Sequence, residues 1–289
     1  LGTTACGKSG LGVELAKRFD GEVISADSRQ VYKGLDLGTG KVTEAEMEGI
    51  PHHMLDVVEP GQPYSVADFQ PAAYAAIDDV LARGKTPILV GGTGLYVRAV
   101  TEGFQFSDSK PDPALRETLE GKSNAELYAI LREKTGVTLT GGEENNRHRL
   151  MRSVEKALSG GWEAPRACPR YDCLLLGVNF PRETVCARID QRLQARIDAG
   201  MLDEVAGLRA AGVSDAFLDR LGLEYRYILW YLTGKIPTLE GLKDELGRAI
   251  KRFAKRQVVW FKKDKDVLWL DMEGDFLNQA VRAVETFLC

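Results

Sequence analysis

Gly2-Thr3-Thr4-Ala5-Cys6-Gly7-Lys8-Ser9, running straight into the apolar-periodic stretch Leu11 to Phe19, decides how the rest of the chain is read. A Gly-x-x-x-x-Gly-Lys-Ser string that opens a helix is a phosphate cradle. Its glycines let backbone N–H groups turn inward, Lys8 brings a point charge, Ser9 offers an oxygen to Mg²⁺, and the helix adds the positive end of its dipole. A phosphorylated ligand is expected here. Nucleoside triphosphates, mononucleotides and other diphosphates all satisfy the same N–H groups, so the string does not choose among them. Such a loop normally follows a buried strand, which is nearly all missing before Leu1; the sequence is expected to be trimmed at its start.

Working outward, Glu22 to Ala26 reads as a strand ending in Asp27-Ser28, and the segment from Tyr64 to Ala82 as a helix closed by Arg83-Gly84-Lys85. Thr86 to Val90 is a buried strand ending in Gly91-Gly92-Thr93. Strands alternating with helices predict a parallel sheet whose ligands sit at the carboxyl ends of its strands. Asp27, Ser28, Gly91, Gly92 and Thr93 all fall there, on the edge that carries the glycine loop. Pro111 to Leu158 is a charged helical block interrupted by Gly136 and Gly141-Gly142, and Leu174 to Phe180 is a further strand. Pro181 then starts a long helix. Val185, Ile189, Leu193 and Ile197 form its apolar seam, beside a stripe of Arg188, Arg192 and Arg196. That stripe is either a clamp for a leaving diphosphate or a solvated face paired with Asp190, Asp198 and Glu204. A last strand, Val267 to Asp271, and an amphipathic helix, Asp275 to Leu288, close the chain. The expected fold is α/β: a P-loop NTPase-like parallel sheet with helices on both faces and a helical insertion. Residues 1–110, 171–181 and 248–289 would form the core, and 111–170 and 182–247 helical blocks beside it.

At 289 residues, 44% hydrophobic and 28% charged, the chain can bury one large α/β core with an insertion. No apolar run approaches a bilayer span and no signal peptide precedes the loop, so a cytoplasmic protein without a membrane partner is expected. Five cysteines without Cys-x-x-Cys spacing read as free thiols, and the adjacent His52 and His53 as polar-contact residues rather than metal ligands. The net charge of −4 argues against nucleic acid, but its distribution reverses that. Seven basic residues and no acid lie between Arg248 and Lys263, on a segment whose Leu242, Leu246, Ile250 and Phe253 recur at helical spacing. An ordinary P-loop NTPase carries an acid after its apolar third strand to hold Mg²⁺ through water. Here Gly91 stands there instead. The comparable carboxylate is Asp27, whose neighbours Ser28, Arg29, Gln30 and Tyr32 are polar enough to read a base. This leans toward group transfer with diphosphate as leaving group, against nucleotide hydrolysis.

The chain resembles the tRNA dimethylallyltransferases. The resemblance rests on the Gly2 to Ser9 loop, Asp27-Ser28-Arg29-Gln30-Val31-Tyr32, Gly38-Thr39-Gly40-Lys41, and Gly49-Ile50-Pro51-His52-His53-Met54-Leu55-Asp56. It continues through Tyr64-Ser65, Gly91-Gly92-Thr93-Gly94-Leu95-Tyr96, Asn145 with Arg149-Leu150-Met151-Arg152 and Glu155, and Lys255-Arg256-Gln257-Val258-Val259-Trp260-Phe261. It implies transfer of a dimethylallyl group from its diphosphate to the exocyclic amine of the adenosine 3′ of the anticodon, with Mg²⁺ as cofactor and Ser9 as its ligand. Asp27 would be the base, Thr93 would orient the diphosphate, and Arg192 with Thr4, Ala5, Cys6, Gly7, Lys8 and Ser9 would bind it. The tRNA anticodon stem-loop would touch Asp27, Ser28, Arg29, Gln30, Arg116, Asn146, Arg147, His148, Arg149, Leu150, Arg220, Tyr225, Arg226, Arg256 and Gln257, on a monomeric enzyme. Trp260 and Phe261 are expected to pack. The chain departs from the usual Gly-Tyr-Arg/Lys at Leu221-Gly222-Leu223-Glu224-Tyr225-Arg226, from a proline at Val42, and from His-Pro-Asn-Asp before Asn145. The lack of a zinc-finger extension after Phe261 favours a bacterial form. A free-nucleotide adenylate isopentenyltransferase is the nearest alternative, and the basic Arg248 to Lys263 segment counts against it.

Overall fold

Gly7 sits in the left-handed region at φ 83°, and this turn ends the glycine loop and releases Lys8–Arg18 into helix α1. The computed structural model describes residues 1–106, 112–139, 142–163 and 166–289. After α1 come β1 (Gly21–Ser25), α2 (Glu44–Met47), β2 (His52–His53), α3 (Val66–Ala82), β3 (Thr86–Val90) and α4 (Gly94–Thr101). Helices α5 (Pro113–Glu120), α6 (Asn124–Thr135) and α7 (Arg147–Leu158) follow. The chain returns through β4 (Leu176–Asn179), α8 (Arg182–Asp198), α9 (Met201–Ala210), α10 (Asp215–Leu221), α11 (Leu223–Leu232) and α12 (Leu239–Phe261), then β5 (Leu268–Asp271) and α13 (Phe276–Leu288). It divides into two units, residues 1–102 with 169–289, and residues 103–168.

In the larger unit every strand pairing is parallel, in the orders β2-β1-β3 and β4-β5. Leu1 and Gly2 continue the pattern beside β4: Val178 N–H donates to Leu1 O at 2.9 Å, and Gly2 bridges Val178 in parallel. An apolar groove of about 390 Å³, walled by Leu11, Leu15, Ile88, Val90 and Leu176, runs along β3. Helices cover both faces, as expected for this α/β class. Phe69, Ala73 and Ile77 of α3 and Tyr96, Val97 and Val100 of α4 pack on Ile24. Leu11 and Leu15 of α1 pack with Ala280 of α13 around Val178 and Leu270. A third core gathers Val185, Ile189, Leu193 and Ile197 of α8 against Leu218, Ile228, Leu242, Leu246 and Ile250. Each of these side chains removed from water contributes roughly 1.5–3 kcal/mol, which fixes the α8 face that carries the arginines.

Several boundaries differ from the sequence reading. Helix α3 begins at Val66 rather than Tyr64, because Ser65 forms a capping box with Asp68. Strand β4 is shorter than Leu174 to Phe180, since Pro181 already caps α8. Phe253 does not continue the apolar face of α12. Its buried row runs Leu246, Ile250, Ala254, Gln257 and Phe261, while Phe253 is exposed under the Arg256 guanidinium, 5.9 Å from its ring centroid.

The smaller unit buries Leu119, Leu127, Leu131, Leu150, Met151 and Val154 between α5, α6 and α7. Gly136, at φ 70°, ends α6. Pro111 and Gly141 of the expected helical block lie outside the described residues. Among the described residues no helix is long and apolar enough to cross a membrane.

Candidate active site

The phosphate loop is held from behind by α12. Gln257 Oε1 accepts the Thr4 N–H at 3.0 Å, and its Nε2 donates to Gly92 O at 2.8 Å. This explains the glycines after β3. A Cβ on Gly92 would come 2.9 Å from Gln257 Nε2, and one on Gly94 would run into the Trp260 ring, which also lies under Arg98 at 5.4 Å. Trp260 and Phe261 pack, as their sequence position suggests: Phe261 is buried and meets Trp260 edge to face at 5.1 Å. Within the loop, Ala5 takes φ 60° and Lys8 Nζ donates to Thr3 O, with Cys6 Sγ donating to the same carbonyl at 2.8 Å. The loop is therefore shaped from inside and anchored from outside.

Asp27 and Thr93, at the ends of the adjacent strands β1 and β3, are joined through Ser28. The Ser28 N–H donates to Thr93 Oγ1 at 3.1 Å, and the Thr93 hydroxyl lies 3.4 Å from Ser28 Oγ. Asp27 Oδ1 accepts the Arg29 N–H at 2.9 Å. One carboxylate oxygen thus fixes the turn, and no described residue bonds the other. Gln30 takes the Ser25 hydroxyl at 3.2 Å and donates to Gly40 O at 3.2 Å, carrying the connection to the Gly38-Thr39-Gly40-Lys41 loop. That loop is pinned by Glu204, whose carboxylate accepts the N–H groups of Asp36, Leu37 and Gly38 at 2.9, 2.7 and 3.0 Å and the Tyr225 hydroxyl at 2.7 Å.

Arg192 and Arg196 lie against Gly40, where a Cβ would strike the Arg196 guanidinium and come 3.1 Å from Arg192 Nη2. The acids proposed as partners for the stripe are engaged elsewhere: Asp190 with Lys251 at 2.7 Å, Asp198 with Gln194 at 2.7 Å, and Glu204 with the loop. Arg196 stands 3.9 Å from Glu224, and Arg188 stacks over Phe180 at 4.6 Å. Arg192 has no hydrogen-bond or ion-pair partner among the described residues. Loss of solvent around its guanidinium, then the Arg196 charge, pushes its pKa down to about 10, so at neutral pH it is still a cation. Burial pushes the Glu224 carboxyl up against the pull of Arg196, and the Asp27 charge pushes the same way as burial. Glu224 is the site residue that sequence reasoning missed; the altered Leu221 to Arg226 stretch was its only signal.

Several residues expected at an RNA surface have other employment. Tyr225 is buried, and burial with the neighbouring Glu204 raises its pKa. Leu150 is buried in the core of the smaller unit. Gln257 is spent on Thr4 and Gly92. All three are buried in this structure. In the smaller unit Arg116 and Arg152 pin the buried Glu155. There too Arg147 donates to Lys122 O at 2.7 Å, and the Asn146 side chain caps α7 through the Arg149 N–H at 3.1 Å. His148 and Arg149 are exposed. In the larger unit Arg226 Nε donates to Asp219 O at 2.7 Å and Arg220 Nε to Ala216 O at 3.1 Å, while Arg256 is exposed and Arg29 half-buried. His53 meets Glu22 at 2.7 Å, a polar contact as expected.

Ser9 is exposed at the start of α1, its hydroxyl without a partner among the described residues, and no cluster of three or more His, Cys, Asp or Glu suited to a metal occurs among them. One protein oxygen beside a phosphate cradle suits a Mg²⁺ ion that takes its other ligands from phosphate and water.

A parallel sheet, a glycine cradle at its carboxyl edge and Gly91 where a metal-binding acid would stand place the molecule in the phosphate-loop class of α/β proteins, outside the usual nucleotide-hydrolysing pattern. A family profile described as IPP transferase matches residues 30–264. The chain belongs to that family. The tRNA dimethylallyltransferase of Oceanobacillus iheyensis is 40% identical over 294 residues, covering 98% of this chain and 93% of the relative. A solved structure of the full-length tRNA isopentenylpyrophosphate transferase from Bacillus halodurans superposes with TM-score 0.74 at 35% identity, covering 99% of this chain and 93% of that one. A eukaryotic dimethylallyltransferase solved acting on tRNA gives TM-score 0.76 at 28% identity, with 94% and 72% covered.

Proposed function

We propose that the protein transfers the dimethylallyl group of dimethylallyl diphosphate to the N6 amine of the adenosine 3′ of the anticodon in tRNA, releasing diphosphate. The observation that carries this reading is the Asp27–Ser28–Thr93 linkage at the strand ends, beside a phosphate loop whose neighbouring strand β3 runs into Gly91 rather than an acid. The adenine amine is a weak nucleophile because its lone pair is delocalised into the ring. It gains strength if a carboxylate takes its proton as the new bond forms. In the step, the N6 to C1 bond forms, the C1 to oxygen bond breaks with its electron pair leaving on diphosphate, and the N6 proton passes to Asp27.

The loop from Thr4 to Ser9, Thr93 and Arg192 receive the diphosphate. Lys8 and Arg192 neutralise the charge that grows on it, the interaction that strengthens most as the allylic bond opens. Ser9 would hold Mg²⁺, which adds positive charge to the diphosphate when bound. The target base has to leave its stack to reach a recessed carboxylate, which suits a tRNA loop better than a duplex. Ser28, Arg29, Gln30, Arg220, Arg226 and Arg256 of the larger unit, and Arg116, Asn146, Arg147, His148 and Arg149 of the smaller one, are the exposed or half-buried groups that would meet the anticodon stem-loop. Residues 111–170 and residues 182–247 would each contribute contacts to tRNA in a monomeric cytoplasmic enzyme.

The test supplies radiolabelled dimethylallyl diphosphate with either unmodified tRNA or AMP. Label should enter tRNA as N6-dimethylallyl adenosine. Label in AMP alone, or cleavage of a nucleoside triphosphate without carbon transfer, would overturn the reading.

A further inference from the structure

Arg182 at the start of α8 and Arg248, Lys251, Arg252 and Lys255 on α12 line a second groove, of about 330 Å³, with no other residue in its wall. Arg248 pairs with Asp244 at 2.9 Å and Lys251 with Asp190 at 2.7 Å. Arg182, Arg252 and Lys255 have no acidic partner among the described residues. Along α12 these cations fall at i, i+3, i+4 and i+7, so Arg248 faces Arg252 and Lys251 faces Lys255 across one turn. Like charges at that spacing oppose helix formation. The helix carries them because its opposite side is anchored by Leu242, Leu246, Ile250 and Phe261. Asp244 and Asp190 offset two of these charges, and anions entering the groove would offset the rest.

Helical geometry separates this groove from the active site. At 100° per residue, the four α12 cations lie about 120° to 180° round the axis from Gln257, which faces the phosphate loop. From Arg248 to Lys255 they span about 10 Å, enough for more than one phosphate of a nucleic-acid strand. An anion held in this groove would therefore be a different one from that held by the phosphate loop.

We propose that the groove formed by Arg182, Arg248, Lys251, Arg252 and Lys255 is a second anchoring site for RNA, holding the phosphodiester backbone of the tRNA away from the nucleotide that is modified. This rests on tRNA being the substrate.

The experiment compares the wild type with a variant carrying Arg182→Ala, Arg252→Ala and Lys255→Ala, and with one carrying Arg182→Lys, Arg252→Lys and Lys255→Arg. Binding of unmodified tRNA and of an isolated anticodon-loop oligonucleotide is measured from 50 to 300 mM salt. The alanine variant should bind full tRNA about ten- to a hundredfold more weakly at 0.1 M salt. Its log affinity against log salt should flatten by about two to three, since each lost phosphate contact removes about 0.7 to 0.9 from the slope. The charge-keeping variant should stay near wild type. The isolated loop should bind wild type and alanine variant alike, and the KM for dimethylallyl diphosphate should not move. An unchanged slope with full tRNA, or equal weakening for tRNA and isolated loop, overturns the proposal. If the wild type transfers no label to tRNA, it is the substrate reading that has failed; if it does and the alanine variant binds tRNA equally well, the groove alone is refuted.

Discussion

Gln257 and Thr4, 253 positions apart, are joined by a 3.0 Å hydrogen bond from the Thr4 N–H to the Gln257 side-chain oxygen. The same amide reaches Gly92 at 2.8 Å, so a single buried side chain sets the distance between the phosphate loop and the end of β3. Gln257→Leu keeps the bulk and removes both bonds, leaving a loop N–H and a carbonyl unsatisfied. Such groups cost about 1–3 kcal/mol, which corresponds to roughly ten- to a hundredfold in donor binding. The KM for dimethylallyl diphosphate should rise by about that factor while tRNA affinity changes little. A variant that loses tRNA binding and keeps its donor KM would return Gln257 to the RNA surface.

Asp27→Asn retains an oxygen for the Arg29 N–H, so the turn after β1 should survive. What it lacks is a group able to take the amine proton. Loss of a general base costs about a hundred- to ten-thousandfold. Single-turnover transfer should fall by that much, with diphosphate affinity near wild type. Normal turnover in this variant would remove Asp27 as the base.

Arg192 is a cation without an ion-pair partner among the described residues, set beside Arg196 near Gly40. In Arg192→Ala the diphosphate leaves without that charge, and the transfer rate should drop about a hundredfold or more, with Arg192→Lys recovering part of it. Inorganic diphosphate should also inhibit the alanine variant less strongly. Equal inhibition of both proteins would show that the stripe belongs to some other task.

Much of this site can be read from residue types alone, and the reason is local. The glycine loop, the apolar strand ends at Asp27 and Gly91, and the four-residue seam of α8 depend on spacing along one element. Choices among distant partners do not. Asp190, Asp198 and Glu204 share the sequence neighbourhood of the arginine stripe, yet Asp198 bonds Gln194 one turn back on the same helix, and tertiary packing sends Asp190 to Lys251 and Glu204 to the Asp36 to Gly38 backbone. Tyr225 has the look of an exposed contact residue until Glu204 is seen to receive its hydroxyl. Gln257 did leave a trace, a lone polar residue on the buried row between Ala254 and Phe261, where an unsatisfied amide would be costly.

Glu22 lies at the opposite end of β1 from Asp27 and is 2% exposed. Arg83 donates to both of its oxygens, His53 meets it at 2.7 Å and Lys85 at 3.2 Å. These partners, Arg83 foremost, hold its carboxyl well below the usual glutamate range despite its burial. A depressed folded pKa means that the unfolded chain takes up the proton first as pH falls. The stabilisation is complete above about pH 4.3, the ordinary glutamate value, and is lost progressively below it. Glu22→Gln leaves Arg83 and Lys85 without their shared anion, and should cost about 2–4 kcal/mol at pH 7, on the order of 5 °C in Tm. The gap between wild type and variant should narrow as pH drops from 5 to 3, because the wild-type carboxylate is then losing its advantage over the neutral amide. Parallel stability curves for the two proteins across that interval would mean that the cluster does not tie acid stability to Glu22.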